Sequence, residues 1–335
     1  MFTRAQVLAF RRHSGSLDDR LPPGPNSLRA AAWAGLQDSM PRAALLSIHA
    51  RVEGIEPNSW EDPSLVQLWG PRFSVFVVAE RDRGVFTLGR LPDNPAKRRD
   101  AQQLADRLEA FLDGRRMQFG EAGRGLGERP NTLRYAAPTG RVVVRWDGSR
   151  QPTIWTVPAP ALDPGDARLE LARRYLHVFG PATAEAFAEW AAIAPSGGRA
   201  AFEALAGSLT PVRTAIGDAW ILAEDEEAFR NPVGRDGASA RLLPSGDPYF
   251  LLQGADRELL VPDPGRRREL WTPQVWPGAV VVKGEVAGTW RRAGAVVTIQ
   301  AWNRFSPAAR EAVELEAQSF PLRDVQGRIR VRWET

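Results

Sequence analysis

The chain has 335 residues, 43% hydrophobic and 25% charged, with a formal net charge of +4 and a pI near 10.0, enough for about two to four compact units with cores of their own. It contains no cysteine, which excludes disulfides, thiolate metal sites and cysteine nucleophiles. No stretch approaches the roughly 20 continuous apolar residues of a bilayer span.

All basic residues except Lys97 and Lys283 are arginine. Arginine suits bidentate contact with phosphate or guanine, but a GC-rich genome gives the same bias, so charge supports nucleic acid only weakly. Residues Met1 to Gln6 lack a charged region leading into an apolar run; no secretory signal is expected, and the cytoplasm is the expected location. His13, His49 and His177 are scattered without metal-ligand spacing, and the glycines at 123, 125 and 127 lack the spacing of a phosphate loop. Neither a metal nor a cofactor is expected.

The predicted elements repeat one pattern three times: helices, a helix-turn-helix, then two strands joined by a turn. In the first unit, residues 1–92, a helix runs from Thr3 to His13, and Asn26 or Ser27 caps another reaching about Gln37. Pro41 opens a third helix to Val52, and strands Arg72 to Ala79 and Val85 to Gly89 make the hairpin. The second unit, residues 93–160, starts with an amphipathic helix from Lys97 to Leu112 carrying Ala101, Leu104, Leu108 and Phe111 on one stripe. A shorter segment follows from Met117, then a recognition helix over Asn131 to Tyr135. Its hairpin is Arg141 to Trp146 and Thr153 to Val157, turning at Asp147-Gly148. The third unit, residues 161–226, has helices Ala167 to Phe179, Ala184 to Ile193 behind an N-cap at Thr183, and Arg199 to Leu205. Strands Val212 to Ile216 and Ala219 to Leu222 close it.

After Glu224 short β runs dominate: Leu242 to Tyr249, Leu259 to Pro262, Ala279 to Val282, Val286 to Arg291 and Val296 to Ala301. A helix from Pro307 to Phe320 and a strand from Arg328 to Trp333 follow. Residues 227–335 are therefore expected to form a barrel-like β domain. The fold class is α+β, with three tandem winged-helix units ahead of that domain.

In the order of its short motifs the sequence resembles the bacterial winged-helix family that includes the AlkZ- and YcaQ-type DNA glycosylases. The residues carrying the resemblance are Gly35-Leu36-Gln37-Asp38-Ser39 with Pro41 to Ala44, Ala172 to Leu176 with Phe179 to Thr183, Leu243 to Tyr249, Leu270-Trp271, and Gly288 to Arg292. The resemblance implies a C-shaped body with a basic concave face for double-stranded DNA, a monomer, and removal of alkylated purines, including bulky or crosslinked N7 adducts. It also implies a Gln-centred motif in the cleft, Gln-x-Gln or Gln-x-Asp in the family. Here the triplet is Gln37-Asp38-Ser39, so Gln37 agrees and Ser39 departs.

Excising a cationic alkylpurine requires stabilisation of an oxocarbenium-like sugar and a held water, which a carboxylate does best. Gln37 can orient water, and Ser39 offers a single hydroxyl. Asp38 is the nearest carboxylate, reaching the cleft from a tight turn but pointing about 100° from Gln37 on a helix. The same residues also suit a helix N-cap. Arg42, Arg134, Arg145, Arg199, Arg291 and Arg292 are the candidate DNA contacts, against the ordinary reading of exposed arginines. Trp290 reads as core, and His49 and His177 as packed. An unrelated hydrolase of the Ser-His-Asp type is disfavoured because Ser245 lacks a nucleophile-elbow frame. The alternative to an enzyme is a non-catalytic DNA-binding protein of the same fold, a regulator or lesion sensor.

Overall fold

Helices, many of them led by proline, alternate with short and mostly antiparallel strands, in a computed structural model that describes residues 1–40, 42–148, 151–232, 240–323, 325 and 327–334. Asn94, Asp163, Thr183, Asp263 and Ser306 each accept backbone N–H groups at a helix start. Each such cap stabilises its helix by about 1 kcal/mol. Four of them precede Pro95, Pro164, Pro264 and Pro307, whose fixed φ is already helical.

The first segment contains α1 (Arg4–Ser14), α2 (Pro25–Ala31), β1 (Leu36–Gln37), α3 (Ala43–His49), β2 (Leu65–Trp69), β3 (Val75–Ala79) and α4 (Arg83–Leu88). Its sheet has the order β1-β3-β2. The second contains α5 (Pro95–Leu112), β4 (Met117–Gln118), α6 (Phe119–Gly125), a 3₁₀ stretch Pro130–Thr139, β5 (Val142–Arg145) and β6 (Thr153–Thr156), with the order β4-β6-β5. The third has α7 (Pro164–Phe179), α8 (Ala184–Ala191), α9 (Pro195–Ala204), the hairpin β7 (Leu209–Thr214) and β8 (Gly217–Leu222), and α10 (Glu226–Arg230). There a single bridge, Ala182 with Trp220 of β8, takes the place of the short first strand. In all three segments a short piece of chain ahead of the helix pair adds to the second strand of the hairpin.

The last segment comprises β9 (Arg241–Leu243), α11 (Asp256–Leu260), α12 (Pro264–Leu270), β10 (Gly278–Val282), β11 (Glu285–Ala293), β12 (Val296–Ala301), α13 (Pro307–Gln318) and β13 (Arg330–Glu334). The whole is a mixed α+β fold. The largest core cluster joins Leu171, Tyr175, Phe179, Phe187 and Trp190 to Phe250, Leu270 and Val281. It welds the third segment to the last. Helix α1 belongs to that union too, because its Val7 and Phe10 pack with Ile221, Phe229 and Leu259.

Several expectations are corrected. The barrel is not closed: among the described residues the five strands run β13-β12-β11-β10-β9, with β13 and β9 as free edges. Helix α13 covers one face, setting Val313, Ala317 and Phe320 against Leu242, Val280, Trp290 and Ile299. A sheet whose apolar face is buried under a helix gains nothing by rolling shut. The run Val85 to Gly89 is helical as far as Leu88, the end of α4, and the hairpin partner of β3 is β2 instead. Leu259 and Leu260 likewise end helix α11. Both runs are buried along their length, so no amphipathic period distinguishes strand from helix. The helix expected to reach Gln37 stops at Ala31, leaving Gln37 in strand β1. Helix α3 starts at Ala43, and Pro41, the expected first residue, lies outside the described residues. The recognition segment around Asn131 is a 3₁₀ stretch. The tip residues Arg72 and Phe73, expected in a strand, form a turn at φ +54°.

Candidate functional site

Strand β1 decides which way the motif faces. Leu36 pairs with Val77 and Gln37 with Phe76, and the Asp38 N–H continues the ladder to the Val75 carbonyl at 2.7 Å. Side chains in an extended segment alternate between faces. Leu36 and Asp38 therefore turn inward, while Gln37 and Ser39 share the outer face, Gln37 half-buried and Ser39 exposed. The motif is neither a helix end nor a tight turn.

Asp38 is 1% exposed, and both of its oxygens are occupied. One accepts the Ala44 N–H at 3.0 Å at the start of α3, and the other accepts the Gln67 amide at 2.6 Å. Gln67 is itself fixed by Trp146, donating to its carbonyl at 3.1 Å and accepting its N–H at 2.6 Å. Burial pushes the Asp38 carboxyl up to about 6, against the lowering effect of its hydrogen bonds and of Arg42. This carboxylate ties β1, α3, β2 and the β5–β6 hairpin together and does not line the cleft.

Gln37 opens into a cleft of about 490 Å³ whose walls include Ser39, Arg72, Ser245, Gln253 and Trp276. None of its described lining residues is acidic. Arg72 donates from Nη2 to Gln37 Oε1 at 2.7 Å, and Gln37 Nε2 donates to Ser39 Oγ at 3.1 Å. On the other side lies Gly246, at φ +81°, where an added Cβ would stand 3.2 Å from Gln37 Cδ. The positive φ favours a residue without a side chain there, and the close approach adds crowding to any other.

The Gly246 loop is carried there by its neighbour. Asp247, fully buried, accepts Ser47 Oγ at 2.6 Å, Arg51 at 2.7 and 2.8 Å, and the Tyr249 N–H at 2.9 Å. Ser47 and Arg51 lie on and just beyond α3, the helix that Asp38 starts. The far wall is built by Trp276, which has the Arg257 guanidinium 5.3 Å from its ring centre, with Trp271 at 5.2 Å. Arg291 donates to the Val275 carbonyl at 2.9 Å and so holds the segment bearing Trp276.

The profile described as DNA glycosylase AlkZ-like matches residues 30–321. The chain belongs to the AlkZ-like DNA glycosylase family. Among solved structures, the Streptomyces sahachiroi DNA glycosylase AlkZ is similar at a TM-score of 0.76 and 20% identity, covering 98% of each chain. At that identity the likeness establishes the fold. Comparison with curated protein sequences finds no match.

In this AlkZ-like chain the arginines singled out from sequence are dispersed. Arg42 and Arg145 converge: their guanidinium carbons lie 4.7 and 4.2 Å from the ring centre of Trp60. Arg42 also donates to the Asp147 carbonyl at 2.6 Å, and Arg145 pairs with Glu61 at 2.9 Å. Arg134 sits beside exposed Tyr135, with a buried Nε that has no partner. Arg199 is exposed on α9, 3.7 Å from Glu185. Arg292 donates to the Gly294 carbonyl at 2.9 Å. Trp290 is core, its indole N–H on the Leu243 carbonyl.

His49 is buried against Phe320 and Ser319, with its imidazole pushed down to about 3 by desolvation and then by Arg20 and Arg241. His177 meets Asp225 at 2.9 Å. No group of three His, Asp or Glu side chains among the described residues could hold a metal ion, and no helix among them is long and apolar enough to cross a membrane. A larger cavity of about 630 Å³, between α5 and the turn after α8, holds no motif residue. Arg72, Gln67 and Gly246 went unassigned in the sequence. The cues were Gly70-Pro71 ahead of Arg72, a turn signal that carries no chemistry, and the motif Leu243 to Tyr249, which contains Gly246.

Proposed function

We propose that this protein is a monofunctional DNA glycosylase that excises N-alkylated purines, bulky or crosslinked N7 adducts among them, from duplex DNA. The observation that carries the reading is the pairing of Gln37 and Ser39 on the open face of a cleft without a lining carboxylate. Uncharged groups can position water but cannot protonate a leaving base. The chemistry then falls to bases that leave unaided, and an N7-alkylpurine carries its own positive charge. Water oxygen bonds to C1′, the C1′–N9 bond breaks, its electron pair neutralises the departing purine, and the water proton passes to solvent.

We read the three helix–hairpin segments, residues 1–92, 93–160 and 161–226, as winged-helix units, and residues 227–335 as the closing domain. The repeated addition of a short strand to each hairpin supports this. Arg42, Arg134, Arg145, Arg199, Arg291 and Arg292 are the proposed phosphate contacts of a single chain on duplex DNA. Asp38 contributes by fixing the motif from behind. Binding should then weaken steeply with salt.

The test is single-turnover release of free 7-methylguanine from duplex DNA, with Gln37→Ala as control. Release above the spontaneous rate that disappears in the variant supports the enzyme. Intact DNA that is bound but never processed removes it and leaves the second reading, a non-catalytic sensor or regulator. Ser39 at the motif position that is Gln or Asp in the family is the observation that favours that reading.

A further inference from the structure

We propose that Arg72 is a positioning residue that fixes the amide of Gln37 with its carbonyl on the guanidinium, so that Ser39 is the group accepting a hydrogen of the attacking water. This deepens the glycosylase reading and rests on it.

The orientation of a glutamine amide is settled by its partners. Arginine has donors and no acceptor, so the Gln37 atom 2.7 Å from Arg72 Nη2 is the oxygen. The nitrogen is then the atom facing Ser39, and it has no choice but to donate to Oγ. Arg72 itself is held for the purpose. It lies at the tip of the β2–β3 hairpin with φ +54°, followed by Phe73 at the same value, a conformation that costs side-chain-bearing residues about 1–2 kcal/mol. Phe73 is pinned in turn, 5.0 Å edge-on to Tyr135 and 4.7 Å from the Arg90 guanidinium. Gly246 closes the opposite side of the amide, where an added Cβ would crowd Gln37 Cδ at 3.2 Å.

A nucleophilic water must give its hydrogens to acceptors for a lone pair to face C1′. The Gln37 carbonyl, the obvious acceptor, has one of its two lone pairs on the Arg72 guanidinium, which draws electron density from the oxygen and leaves it the poorer acceptor. Ser39 Oγ has two acceptor lone pairs; Gln37 uses one and the other faces the cleft, since Ser39 is exposed. The hydroxyl thus replaces the second motif side chain as water acceptor, and Gln37 acts through it. Neither group ionises between pH 5 and 9, whereas a carboxylate base working through Asp38 would break the profile near 6.

The experiment measures single-turnover release of 7-methylguanine, DNA affinity and its salt dependence for the wild type, Arg72→Ala, Arg72→Lys and Ser39→Ala. Expected are losses on the order of 10²-fold in the chemical step for Arg72→Ala and Ser39→Ala, as small misplacement of a reacting group costs. DNA affinity should be unchanged, Arg72→Lys should recover part of the rate, and added ethylguanidinium should raise the rate of Arg72→Ala. The wild-type rate should be flat from pH 5 to 9. Should Arg72→Ala instead weaken binding, lower the salt slope by about one and leave the chemical step intact, Arg72 is a phosphate contact and the proposal is overturned. A pH break near 6 that vanishes in Asp38→Asn overturns the role of Ser39. If the wild type releases no base, the glycosylase reading fails, while the side-chain NH₂ signal of Gln37 in ¹⁵N-glutamine-labelled protein still reports on Arg72. Solvent exchange of that NH₂ speeding up in Arg72→Ala supports the lock, and an unchanged signal overturns it.

Discussion

The carboxylate of Asp247 receives both terminal nitrogens of Arg51, at 2.7 and 2.8 Å, with neither side chain reaching solvent. The pair joins the end of α3 to the loop after β9, two parts of the chain almost two hundred residues apart, and thereby delivers Gly246 to Gln37. Removing one partner leaves a buried charge uncompensated. Asp247→Ala is expected to cost about 3–5 kcal/mol, measured by urea unfolding with an unchanged m-value. Asp247→Asn keeps acceptors for Ser47 and Tyr249 and should cost less. Equal stability of Asp247→Ala and wild type would mean that the pair does not hold the loop.

Gly246 itself offers a finer probe. At φ +81° an alanine is strained by about 1–2 kcal/mol, and its Cβ would press 3.2 Å from Gln37 Cδ. Gly246→Ala should therefore unfold slightly earlier and lose base release more than DNA affinity. Comparing both quantities with those of Gly254→Ala separates strain from contact, because Gly254 has φ +50° and nothing within 4 Å of its Cβ position. Identical losses at the two sites would show that pressure on Gln37 plays no part.

How much of this was legible in the sequence depends on what kind of signal each element carries. Helices with an N-cap and a proline, such as α5, α7 and α13, announce themselves locally, and so does the Asp147-Gly148 hairpin. Thr183 was read as a cap and is one. Strand β1 was not legible, since two residues hold no period and its pairing with β3 is set nearly forty residues away. That single miss controls the site: on a helix Asp38 and Ser39 cannot alternate, and only the ladder to Val75 sends one inside and the other out. The partners of Gln37 share this character. Arg72 and Gly246 reach it through tertiary closure, which leaves no mark on their neighbours in sequence. Asp38 was legible as a capping residue, though the helix it serves begins at Ala43 and its second oxygen is spent on Gln67.

From that placement, Asp38 variants should separate structure from chemistry. Asp38→Asn retains an acceptor for the Ala44 N–H and is expected to release base at the wild-type rate. Asp38→Ala removes the acceptor and should cost about 1–2 kcal/mol through the lost start of α3. Thermal unfolding and single-turnover release, measured on the same preparations, check both. A rate that collapses in a fully folded Asp38→Asn protein would return the carboxylate to the reaction.

Two buried groups contribute to the acid response of the fold with opposite signs. Burial raises Asp38 to about 6, above the ~3.9 of a free aspartate. Between those values the folded protein holds a proton that the unfolded chain lacks, so acidification favours folding in that window and the contribution is lost as pH rises through 6. His49 has the opposite sign. Its imidazole is lowered to about 3, whereas the unfolded chain protonates below ~6.5, so acidification from 6.5 downward favours unfolding. Each slope is at most ~1.4 kcal/mol per pH unit, and between pH 6 and 4 they oppose. His49→Gln removes one of them. Its stability relative to wild type, followed by urea unfolding at fixed ionic strength, should improve steadily from pH 6.5 to 4. A constant difference across that range would show that His49 does not stay neutral inside the fold.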